Sequence, residues 1–215
     1  MISGRLLAWT CLAAALSILN YATRATAKPP RDAVYHYSLA VGGLVQYGLI
    51  LGIVLAIAGA GHRRELLAWR PPISWARAVK LVVVVLIGIY VLSVVLSPFL
   101  HPGREQGLSP SGWDSARAGA FAANFVVLAL GGPLVEELQF RGLGYSLLAG
   151  YGSTFAIVVV GVTFGLAHGL VEGLPVLVAF GAGLAWVRSR TDSVYPSIVT
   201  HMAFNSIALA ISVAT

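Results

Sequence analysis

Long apolar runs dominate this chain, at about 6–22, 37–60, 78–97, 117–138, 153–170, 173–188 and 194–213. Short stretches rich in Arg, Pro and Gly separate them. A helix needs about 20 apolar residues to cross a bilayer, and most of these runs come close. The pattern predicts an all-α, polytopic membrane bundle of about seven transmembrane helices. The range is six to eight, because 140–150 either extends the fourth helix or forms an extra one. No internal repeat interrupts the series. We read one integrated membrane domain over 1–215, with N-terminal helices and loops in 1–116 and a C-terminal core in 117–213.

The first run has two readings. Arg5, an apolar stretch and then Ala25-Thr26-Ala27 resemble a signal peptide with a small-residue cleavage site, which would start the mature chain at Lys28. The favoured reading is a retained signal anchor, as expected for a multi-spanning protein. Residues 61–77 hold arginines, Trp69, Trp75 and the pair Pro71-Pro72. Pro-Pro breaks a helix, and Trp with Arg suits the headgroup level. This stretch is expected to be a surface loop with a short interfacial helix. The segment 98–116, with Pro98, Pro102 and Pro110, reads as an extramembrane connection.

Composition sharpens the class. The chain is 58% hydrophobic and only 10% charged, against roughly 25% charged in soluble domains. A soluble α/β protein could not cover its surface with so few charges. The net charge of +6 would raise the question of nucleic acid in a soluble protein. Here the basic residues sit between apolar runs, where they set membrane topology, and no basic stripe with interleaved aromatics appears. No nucleic-acid partner is expected. Counting Lys and Arg favours a cytoplasmic N-terminus. Cys11 is the single cysteine, so neither an internal disulfide nor a cysteine metal cage is available.

Polar residues inside apolar runs then become the informative ones, since a charge at a helix centre costs about 2.5–3.5 kcal/mol on insertion scales. They are Glu136, Glu137, Arg141, His168, Glu172, His201 and Asn205. Glu137 and Arg141 are four residues apart, as are Phe164 and His168, and His201 and Asn205. Each pair shares one helix face. Three helices packed around a common cavity would unite a carboxylate, two imidazoles and an amide. Upstream, Gly131-Gly132-Pro133 predicts a kink or restart. A restart at Pro133 would put Glu136 and Glu137 in a first turn, near the positive end of the helix dipole. Glu172, flanked by loop-forming residues, reads as a helix-end marker.

"EELQFRG" (Glu136 to Gly142), "FGLAH" (Phe164 to His168) and "HMAFN" (His201 to Asn205) together resemble the CAAX-protease and bacteriocin-processing family. That Abi-type family of intramembrane glutamic proteases includes the type II CAAX prenyl endopeptidases. The resemblance covers about 117–213; the helices before it read as generic. Asp192 stands where a glycine is common, which is read as a turn substitution of little consequence. The resemblance implies Glu136 as the general base for a water, with His168 assisting. It implies His201 and Asn205 as the oxyanion hole, Glu137 and Arg141 as support that orients Glu136, and Phe164 packing beside the water or substrate. Such an endopeptidase would use no cofactor and no metal. Its partners would be the lipid bilayer and a membrane-embedded or membrane-associated peptide or protein substrate. The Gly- and Ala-rich, Lys-poor composition points to a bacterium, and so to its cytoplasmic membrane.

The chemistry of the residues agrees: peptide hydrolysis needs a base for water and donors for the tetrahedral oxyanion. Rival readings are a metal-dependent membrane hydrolase, since two His and one Glu can bind zinc, and a noncatalytic bacteriocin-immunity or membrane interaction protein. A proton-coupled transporter is weaker still, because the other helices offer few polar residues.

Overall fold

A computed structural model describes residues 2–27, 30–100, 108, 110 and 112–214. Seven helices of four or more turns follow in order: α1 (Ile2–Thr26), α2 (Tyr37–Ala58), α3 (Trp75–Leu96), α4 (Ser115–Tyr151), α5 (Ser153–Ala167), α6 (Leu174–Thr191) and α7 (Tyr195–Ala214). The described residues contain no strand. Five helices, α1, α2, α3, α4 and α7, are long and apolar enough to cross a membrane. The protein is therefore an all-α integral membrane protein.

Five is fewer than the six to eight spans expected. The runs at 153–170 and 173–188 do form helices, but α5 has only 15 residues, short of the usual span length. α6 has 18 and ends in Arg188 and Arg190. Small residues let these two lie against each other closely. A Cβ on Gly161 would sit 2.8 Å from Ala182, and one on Gly181 would sit 3.0 Å from the Gly161 backbone. Glycine-mediated close approach is a common way for membrane helices to associate. The stretch 140–150 forms no separate helix of its own but continues α4.

α4 carries the polar cluster, and its path departs from the expected break. Its backbone stays helical through Gly131 and Gly132, so the positive helix end expected at Pro133 is not formed. Instead, wider π-helical turns at Val126–Gly131 and Leu138–Gly144 flank the α-helical Gly132–Glu137. A π turn absorbs an extra residue and re-aims the side chains beyond it. The first one also precedes Pro133, whose missing N–H would otherwise leave a gap in the hydrogen-bond ladder.

The 61–77 stretch contains a one-turn helix, Arg63–Leu66. After it, the chain turns inward. Leu67 and Ala68 are buried, and a Cβ on Gly142 would come within 3.0 Å of the Leu67 backbone. Asp192 joins this loop to the α6–α7 turn. It adopts a left-handed conformation, φ +53°, which Asp tolerates better than most non-glycine residues. Its carboxylate pairs with Arg70 at 2.6 Å and Arg188 at 3.0 Å. Lys28, the proposed mature start, and residues 101–107, 109 and 111 of the 98–116 connection lie outside the described residues.

Candidate active site

Three helices bring the predicted residues together. Arg141 donates to Glu137 Oε1 at 2.7 Å, and both side chains are fully buried. Arg141 also donates to the carbonyl of Gly181 at 3.2 Å, which the close α5–α6 approach places within reach. Its guanidinium lies 4.1 Å from the centroid of the Phe164 ring. Glu137 Oε1 takes a second bond from His201, whose Nδ1 lies 2.8 Å away. A carboxylate already bonded to a guanidinium only accepts, so His201 Nδ1 is the donor.

Glu136 faces the other way. Its Oε2 lies 3.7 Å from His168 Nε2 and 3.9 Å from His201 Nε2. These distances exceed a direct hydrogen bond. On the far side of His168, Nδ1 lies 2.8 Å from the carbonyl of Phe164 and must donate to it. Both imidazoles therefore anchor through Nδ1 and turn Nε2 toward the same carboxylate oxygen. Side-chain exposure separates two roles: 18% for Glu136 and 25% for His168, but 0% for Glu137 and Arg141. The first pair is partly exposed, although Glu136 Oε2 itself is buried and makes no hydrogen bond; the second forms a buried frame. Aromatic rings wall the imidazoles, with Phe164 4.5 Å from His168 and Phe180 5.2 Å from His201, centroid to centroid.

Asn205 lies one turn beyond His201, but its Nδ2 donates to the carbonyl of Leu128 at 3.2 Å. It braces α7 against the first π turn rather than facing Glu136. Glu172 lies in the connection between α5 and α6.

The sequence reading missed Tyr47. This α2 residue donates through its hydroxyl to Glu136 Oε1 at 3.4 Å. Its ring lies over Gly132, where a Cβ would meet the phenol at 2.7 Å. Gly132 is thus required for close approach, not for bending. The available signal was a hydroxyl-bearing aromatic in an otherwise apolar helix.

An apolar groove of about 510 Å³ between α1 and α5 includes none of these residues. No group of three or more His, Cys, Asp or Glu among the described residues is arranged to hold a metal ion.

Residues 118–207, the segment that carries the site's side chains apart from Tyr47, match the family model described as type II CAAX prenyl endopeptidase Rce1-like. No curated protein and no solved structure matches the chain. The family domain and the buried His–Glu pairs are together consistent with an intramembrane glutamic endopeptidase.

Proposed function

We propose that the protein hydrolyses a peptide bond in a membrane-embedded or membrane-associated peptide or protein, using a water activated by Glu136 with His168. The observation that carries this reading is the convergence of two anchored imidazoles on Glu136 Oε2 at 3.7 and 3.9 Å. These separations are too long for a direct hydrogen bond, and a water seated beside the three groups would bond to them. Glu136 takes a proton from that water, and the resulting hydroxide attacks the peptide carbonyl. Glu136 then delivers the proton to the leaving amine, so the carboxylate is regenerated.

The oxyanion needs donors. Because His201 Nδ1 is committed to Glu137, its Nε2 can donate only when the ring is an imidazolium. Asn205 adds a second donor by turning its amide from Leu128. Glu137 and Arg141 orient His201 and the α4 segment, and Phe164 supports both His168 and Arg141. A bacterial cytoplasmic membrane fits the composition.

Comparing membrane peptidomes from cells carrying the wild type and Glu136→Gln tests the proposal. The expected result is loss of a set of cleavage products, with the variant present at normal levels. Identical peptidomes would sink it. Zinc analysis separates the metal-dependent alternative: stoichiometric zinc, with activity lost to a chelator, would replace the water-base scheme.

A further inference from the structure

The C-terminal turn of α5 carries His168, and its carbonyls meet three side chains from α1. Asn20 Nδ2 donates to the carbonyl of Ala167 at 2.6 Å. The Tyr21 hydroxyl donates to the carbonyl of Leu170 at 3.2 Å. Arg24 Nε donates to the carbonyl of His168 itself at 3.4 Å. The last carbonyls of any helix lack partners within that helix, and in an apolar surrounding an unmet carbonyl is costly. α1 supplies donors to three of four consecutive residues. The approach is close: Gly169 adopts φ +63°, and a Cβ there would lie 2.8 Å from the Asn20 backbone. Only glycine meets both demands without strain.

The same turn orients the imidazole. His168 Nδ1 is held by Phe164 one turn earlier, so the angle of the turn sets where Nε2 points. We infer that Asn20, Tyr21 and Arg24 are positioning residues that hold His168 toward Glu136, which makes α1 a working part of the site. This rests on the catalytic reading of His168 given above. α1 lies outside the segment that matches the family model, and sequence reading had treated it as generic.

Asn20→Asp tests the inference, because it keeps the shape and removes the donor. Tyr21→Phe is the second variant, should the first fail to fold. Two readouts are taken on detergent-purified protein. One is kcat and KM on a membrane-peptide substrate. The other is the ring ¹⁵N spectrum of labelled histidines, with His168 assigned by the signal lost in His168→Gln. A misplaced catalytic group costs on the order of 10- to 100-fold in rate. The expected result is a kcat reduced by that factor at nearly constant KM, with the His168 ring signals moved and those of His201 unchanged. Unmoved His168 signals, equal movement at both histidines, or unchanged kcat would overturn the inference. The spectrum reports independently of turnover, so a wild type without Glu136-dependent cleavage would count against the proposed function alone.

Discussion

The helices before residue 100 and the segment 118–207 contribute to one site in different currencies. The later segment supplies side chains that face one another: Glu137 with Arg141, Glu137 with His201, and both histidines with Glu136. The earlier helices mostly supply donors to backbone carbonyls. Asn20, Tyr21 and Arg24 serve the α5 turn, and Trp9 Nε1 reaches the carbonyl of Gln139 at 3.0 Å. Tyr47, on Glu136, is the exception. Side chain on side chain leaves a readable pair of residue types at helical spacing. Side chain on backbone leaves a single polar residue with no visible partner. A chain can therefore look generic over its first half while bracing the chemistry of its second.

That contrast can be broken first at the buried frame. Arg141→Met leaves the Glu137 carboxylate without its guanidinium in a fully buried position. Removing one partner of a buried pair typically costs about 3–5 kcal/mol, so a large fall in thermal stability is expected in detergent. Glu137→Gln added to Arg141→Met should recover part of it. A single variant as stable as the wild type would mean that the pair is not a frame at all.

A smaller effect is expected where the early helices touch Glu136. Tyr47→Phe deletes one hydroxyl. A hydrogen bond to a charged group contributes about 1.5–3 kcal/mol, but at 3.4 Å this one is long. Steady-state kinetics should show a kcat reduced by at most about tenfold, with stability nearly unchanged. Gly132→Ala should do more damage than Gly131→Ala, since only the former drives a methyl into the Tyr47 ring. The reverse order would remove Tyr47 from the account.

The smallest effect lies at the membrane surface. Arg117 bonds Asp114 at 2.7 Å and Asp32 at 2.6 Å, and its guanidinium holds both carboxyls below the usual carboxylate range. A depressed carboxyl contributes stability that is present above its unfolded value, about 4. That contribution is lost as pH falls through the lower folded value. The wild type should therefore loosen around this turn only in acid below about pH 4, read by hydrogen exchange. Asp114→Asn should weaken the acid dependence while leaving neutral-pH stability within the small range of exposed ion pairs.

The three i,i+4 pairs and their order were legible in the sequence because helical periodicity brings such residues to one face. The π turns were not, since they shift hydrogen bonds without any marker residue, and the expected restart at Pro133 followed from treating proline as a helix start. The span count was set higher for a related reason. α5 has only 15 residues, α6 carries Arg188 and Arg190, and the two pack through Gly161, Gly165 and Gly181. Apolar composition does not distinguish a helix pressed against its neighbour from one that spans the bilayer. Asn205 follows His201 by one turn of α7, while its bond to Leu128 depends on where a π turn presents a carbonyl.

The most direct test of Glu136 as a base acting through water is a single turnover in H₂¹⁸O, with reconstituted protein and a peptide substrate from the peptidome comparison. The account predicts one ¹⁸O in the new C-terminal carboxylate of the product, none in the Glu136 side chain, and no product from Glu136→Gln. Label in Glu136 itself would make it a nucleophile, and full turnover by Glu136→Gln would contradict the assignment outright.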